Sequence, residues 1–192
     1  MDLLEQKRSL RQSAAVVRGR AHAARPDAPF DLARHAAALA AGLTPGWVSG
    51  YLAMGEEMDV LPALETLAAK GWRSCLPVVT GKGEPLSFRA WSPGAALEDG
   101  VFGTRHPATG ADEVRPDLLL VPLLAFDRIG YRLGWGGGFY DRTLAKLRAD
   151  GAPVTAAGVG YGAQEVDAVP RAGYDARLDW VVTEDDIIKI AP

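Results

Sequence analysis

One stretch, residues 117–142, leaves this chain few ways to fold. It passes from an apolar run at 118–124 through a turn into a loop with glycine at 134, 136, 137 and 138. A periodic pattern at Tyr140, Leu144 and Leu147 follows. The Leu- and Val-rich run is too short to span a bilayer and has the length of a buried strand. The i, i+4, i+7 spacing predicts a helix with one core-facing stripe. A strand that feeds a glycine loop opening a helix is a layout for binding anions. Glycine lets backbone N–H groups approach a ligand, and a helix N-terminus offers unpaired donors with partial positive charge. The same glycines could form a plain tight turn, but Arg132, Asp141 and Arg142 on the flanks suit a nucleotide and its metal better. The spacing lacks the Gly-Lys-Ser/Thr ending of a P-loop. It also differs from the dinucleotide fingerprint, which follows the first strand of a βαβ unit.

Upstream, residues 2–24 read as an amphipathic helix with Leu3, Leu10, Ala14 and Val17 on one stripe. Lys7, Arg11 and Arg18 form a second stripe beside it. Lys7 and Arg11 are i, i+4 neighbours that repel by a few tenths of a kcal/mol on an exposed helix. They make either a solvated basic face or a set of cations converging on one anion. A second helix is expected over 30–41, after Pro26 and Pro29. Strands are expected at 47–53, 74–79, 86–91, 118–124, 155–161 and 180–183. Asp59 is placed to cap a helix that Gly71 ends. Glu56 and Glu57 then fall just beyond the carboxyl end of a strand, where open α/β sheets bind ligands. Residues 92–116 read as a long irregular loop, a type that is usually functional or mobile. Phe102 and His106 within it could line a site, a local structural part being the preferred reading of His106. Strands alternating with helices predict an α/β fold, a three-layer α/β/α, Rossmann-like arrangement around a mostly parallel sheet. One domain over 1–192 is expected from the length.

Composition narrows the function. Net charge is −3, which gives no overall basic footprint for nucleic acid. No run is long enough for a membrane span, and the N-terminus lacks the apolar core of a signal peptide. Cys75 is the single cysteine, so no intramolecular disulfide can form and a cytoplasmic location is expected. Cys75 sits in an apolar segment without a nearby His and reads as a buried small hydrophobe.

Three separated pieces resemble the 5-formyltetrahydrofolate cyclo-ligase family, also called methenyltetrahydrofolate synthetase. They are Lys7-Arg8-Ser9-Leu10-Arg11, the segment from Tyr51 to Asp59, and the segment from Gly130 to Arg142. The ending Asp179 to Glu184 is similar to the family's C-terminal pattern. The resemblance implies an ATP- and Mg²⁺-dependent cyclisation of 5-formyltetrahydrofolate to 5,10-methenyltetrahydrofolate, with release of ADP and phosphate through a phosphorylated formyl intermediate. It implies an ATP site from Lys7, Arg8, Ser9, Leu10 and Arg11 together with Arg132, Leu133, Gly134, Trp135, Gly136, Gly137, Gly138, Phe139 and Tyr140. Lys7, Arg11 and Arg132 would act in catalysis. Arg11, Met54, Glu57, Trp135 and Tyr140 would meet the folate, and Asp141 and Asp179 would hold the metal. A monomer acting on small molecules is expected, with no nucleic acid or membrane partner. Trp135 stands where some relatives carry Arg, and Gly137 where some carry Lys. Either Arg132 and Arg142 supply the missing charge, or Trp135 stacks on the ligand.

Two other classes fit parts of the pattern. A sugar-phosphate isomerase or CoA-transferase-like enzyme would keep the glycine loop without ATP. The other is a non-catalytic reduced-folate or nucleotide-binding module; Lys7 and Asp141 argue against it, since pure folate storage has no need of a phosphate–metal site.

Overall fold

The computed structural model describes residues 2–191. The chain opens with α1 (Leu3–Ala24). Its start is fixed by Asp2, whose side chain accepts from Glu5 N while the Glu5 carboxylate accepts from Asp2 N. α2 (Ala28–Ala40) begins earlier than expected, because Pro29 is tolerated in a first helical turn. There follow β1 (Trp47–Ser49), α3 (Leu61–Ala68), β2 (Arg73–Val78), β3 (Ser87–Ala90), β4 (Leu97–Asp99) and β5 (Arg105–Pro107). The second half holds β6 (Leu118–Pro122), β7 (Ala125–Phe126), β8 (Arg132–Leu133), α4 (Phe139–Ala149), β9 (Thr155–Val159), β10 (Trp180–Val182) and β11 (Ile187–Lys189).

Seven strands make one sheet in the order β11-β10-β9-β6-β1-β2-β3. The inner five run parallel, and β11 and β3 close the two edges antiparallel. The centre is the apolar run of β6. Leu118 and Leu120 pack into a core shared with α2 and α3, whereas Leu119 and Val121 pack into a second core with Leu144 and Leu147 of α4. The period-two alternation of a strand thus places apolar side chains on both faces, and helices cover both. The expected three-layer α/β architecture with a mostly parallel sheet is the observed one.

Two expectations change. The strand expected at 47–53 stops at Ser49, after which only Gly50 N continues the ladder, to Cys75 O at 3.2 Å. A Cβ on Gly50 would lie 2.6 Å from Leu64, so α3 occupies the space a longer strand would need. Residues 92–116 are not wholly irregular. β4 and β5 pair as a hairpin around a 3-10 turn at Val101–Gly103, in which Phe102 adopts φ 58°. Strands of three residues each are too short to show an alternation in sequence.

Candidate active site

Parallel strands deliver their following loops to one edge of the sheet. There, beyond β1, β2 and β6, lies a cleft of about 1000 Å³. The loop after β8 and the first turn of α4 form its floor. Gly138, at φ 65°, turns the chain into α4, and Gly136 sits at φ 99°. A Cβ at Gly136 would fall 2.9 Å from the Arg11 guanidinium, so side chain and loop meet only because the residue is glycine. Arg11 Nε donates to Gly134 O at 2.8 Å, and Arg142 Nη2 donates to Gly137 O at 2.8 Å. Two loop carbonyls are thereby held by cations. Among the described residues, the N–H groups of residues 135–138 make no hydrogen bond. The loop is a row of unpaired donors leading into a helix N-terminus, with cations around it.

The stripe expected on α1 divides. Lys7 and Arg11 enter the cleft together with Leu4, the three standing at i, i+3 and i+7 on one helix face. Arg8 and Ser9 are exposed on another face, and Leu10 packs beneath the loop against a small core that includes Leu124 and Leu133. These three side chains, expected in the ATP site, do not line the cleft, because a helix presents only one side to it. Lys7 Nζ lies 2.6 Å from Asp175 Oδ2, both largely shielded from solvent. Asp175 also accepts from Ala172 N at 2.6 Å and is thus fixed by its own loop. Sequence reasoning missed Asp175. It stands 168 residues from Lys7 in a loop without a periodic pattern.

Arg132 is pinned at both ends. Its Nη1 donates to Ala176 O at 2.6 Å and its Nη2 to Asp141 Oδ1 at 2.9 Å. Asp141 Oδ1 accepts also from Ala176 N at 3.0 Å, and its place in the first turn of α4 suits the helix dipole. Leu133 is buried, while Trp135 is 63% exposed at the cleft wall. Phe139 lines the cleft, as does Tyr140, whose phenol is pushed up from its ordinary range by burial and then by the Glu57 carboxylate. Opposite, Glu57 is buried, and its Oε2 accepts from Met54 N at 3.0 Å. Tyr51 donates its hydroxyl to Met58 O at 2.8 Å and ties down the far end of the same turn. Glu56, by contrast, is exposed.

The β4–β5 hairpin forms the remaining wall with Phe102, Gly103, Thr104 and Arg105. The Phe102 and Phe139 rings meet tilted at 51°, with centroids 6.4 Å apart. Phe102 therefore lines the site as expected. His106 takes the local structural part preferred for it, its Nδ1 engaging Pro107 O outside the cleft lining.

Asp179 is a correction. It precedes β10, at the amino-terminal edge of the sheet and away from the cleft. There its Oδ2 accepts from Ala156 N at 2.7 Å and pairs with Arg148 at the end of α4. The expected metal pair is not assembled, and among the described residues no group of three or more His, Cys, Asp or Glu could hold a metal ion. Of the expected pair, only Asp141 lines the cleft.

A model of the 5-formyltetrahydrofolate cyclo-ligase family matches residues 4–184. The 5-formyltetrahydrofolate cyclo-ligase of Mycolicibacterium smegmatis is 34% identical over 72% of this chain and 78% of its own length. That of Escherichia coli is 35% identical over 71% and 76%. The NMR structure of Aquifex aeolicus 5,10-methenyltetrahydrofolate synthetase superposes with a TM-score of 0.65 at 27% identity, covering 93% of both chains. A 5,10-methenyltetrahydrofolate synthetase from Mycoplasma pneumoniae shares the fold with the same TM-score, 0.65, at 20% identity over 96% of this chain and 99% of its own.

Proposed function

Because the chain belongs to the 5-formyltetrahydrofolate cyclo-ligase family, we propose that its cleft couples cleavage of ATP, by phosphoryl transfer to the formyl oxygen, to ring closure of 5-formyltetrahydrofolate, giving 5,10-methenyltetrahydrofolate, ADP and phosphate. The observation that carries this reading is the row of unpaired N–H groups at 135–138, met by Lys7, Arg11, Arg132 and Arg142. So many donors and cations at one helix N-terminus suit a polyphosphate. An isomerase would leave most of them unused.

The chemistry follows from a poor leaving group. A formamide oxygen cannot depart as oxide, so it is first made a phosphate ester. The formyl oxygen attacks the γ-phosphorus, the bond to the β-phosphate oxygen breaks, and ADP leaves. N10 then adds to the formyl carbon, the C–O bond breaks, phosphate departs with the former formyl oxygen, and N10 gives up its proton to solvent. Phosphoryl transfer asks the protein mainly for positioning and charge neutralisation. Lys7 and Arg11 reach the phosphates from α1, while Arg132 is held rigid by Asp141 and Ala176. Magnesium bound at Asp141 would neutralise charge on the transferred phosphoryl group. Glu57 accepts N–H groups of the pterin, Met54 lies against it, and Tyr140 packs below. The β4–β5 hairpin shields the reacting atoms from water.

The protein works on these small molecules as one domain, as a monomer in the cytoplasm. Among the described residues no helix is long and apolar enough to cross a membrane. The test is a mixture of protein, 5-formyltetrahydrofolate, ATP and magnesium, with each omitted in turn, followed by the near-ultraviolet absorbance of the methenyl product. Product only in the complete mixture supports the reading. Its absence, with folded protein and no folate binding, rejects it.

A further inference from the structure

Arg18 is the unexpected member of the α1 stripe. Lys7 and Arg11 turn into the cleft, but Arg18 is only 3% exposed. A buried guanidinium is costly unless charge and hydrogen bonds compensate it. In this protein the charge is matched and the hydrogen bonds are not. Arg18 Nη1 lies 3.7 Å from Glu57 Oε1 and Nη2 lies 3.8 Å from Glu56 Oε2, both beyond hydrogen-bonding reach. Its Nε is buried with no hydrogen-bond partner. The Trp135 ring covers the group from the glycine loop, with its centroid 5.4 Å from Arg18 Cζ. Arg18 thus touches both halves of the site from behind. Glu57 and Trp135 line the cleft, and Arg18 is not among the residues that do.

We propose that Arg18 is a positioning residue that aims the Glu57 carboxylate at the pterin, with the Trp135 ring covering it from the side of the glycine loop. The inference rests on the folate reading above. Of the two Glu57 oxygens, Oε2 is taken by Met54 N and Oε1 faces Arg18 at long range. One carboxylate oxygen is therefore held by the backbone while the other faces the guanidinium, with capacity left on Oε1 for a ligand N–H. Hydrogen bonds that are long in a free site tighten when substrate completes it. The same geometry explains why tryptophan is accommodated at 135: it stacks on a cation supplied by α1.

The test compares wild type with Arg18→Met, Arg18→Lys, Glu57→Gln and the Arg18→Met/Glu57→Gln pair, in steady-state kinetics and thermal melts. Arg18→Met is expected to raise the KM for 5-formyltetrahydrofolate at least tenfold while the KM for ATP stays within about threefold. Arg18→Lys, which restores the charge, should recover most of the loss. The double variant should be no worse than the weaker-binding single variant, because Arg18 acts through Glu57. Should Arg18→Met melt below the assay temperature, Arg18→Gln carries the same expectation. A fall in kcat with both KM values unchanged, or losses that multiply in the double variant, would overturn the proposal and leave the ligase reading intact. Wild-type protein that is folded yet neither binds nor converts 5-formyltetrahydrofolate would remove both.

Discussion

Asp141 combines three tasks in one side chain. It sits in the first turn of α4, where it suits the helix dipole, anchors Arg132, and is the one carboxylate expected at the metal that the cleft retains. Asp141→Asn keeps the size and one acceptor but removes the charge. Turnover is expected to fall at least ~100-fold, the scale of losing one preorganised electrostatic group, with folate affinity in equilibrium titration kept within about threefold. Cys75 gives a second expectation at this scale. Burial pushes its thiol up to about 12, above its value of about 8.5 in an unfolded chain. A raised thiol pKa means the unfolded state loses its proton first as pH rises. The contribution is complete below about pH 8.5 and is lost progressively toward pH 12. Native protein should leave a thiol-reactive dye unreacted at about pH 8 and consume it in urea. Its melting temperature should drop between about pH 9 and 11, less so in Cys75→Ala. Burial also raises Tyr51 strongly, so part of that slope remains. Lys7, Arg11 and Arg132, which the family resemblance singled out, all line the cleft. Sequence could not reach Asp175 or the depth of Arg18, because both depend on where distant segments meet.

The short β7–β8 hairpin aims the glycine loop, and one residue holds its turn. Asp127 is completely buried, and its carboxylate accepts from Ile129 N at 3.2 Å, Tyr131 N at 2.9 Å and Val169 N at 2.9 Å. Asp127→Ala would leave three backbone donors without this acceptor. A loss of roughly 3 kcal/mol is expected, since one unsatisfied buried group costs about 1–3 kcal/mol. Urea denaturation would measure it as a lower midpoint at an unchanged slope. An unchanged midpoint would show that the turn holds itself without the carboxylate. Elements with a clear period or a long apolar run were legible from sequence: α1, β6 and α4 lie close to where the pattern puts them. β4, β5 and β11 were not, because three-residue strands at sheet edges carry no periodic signal and form by pairing with neighbours.

At the scale of the molecule, the central strand explains why the site exists where it does. β6 is apolar on both faces, so helices must cover both, and parallel neighbours bring every following loop to one edge. The glycine loop, the turn at Met54–Glu57 and α1 then face each other across a single cleft. This convergence was legible as a fold class, whereas the departure of Asp179 from the cleft was not. A strand's first residue lies at the edge opposite its last, and sequence alone does not say at which edge a carboxylate before a strand is needed. The most direct measurement of the chemistry in this cleft uses 5-formyltetrahydrofolate labelled with oxygen-18 in the formyl group. With ATP and magnesium, the label is expected in the released phosphate at one atom per turnover. Label released as water, with unlabelled phosphate, would contradict phosphoryl transfer to the formyl oxygen and, with it, the role of the cations around the glycine loop.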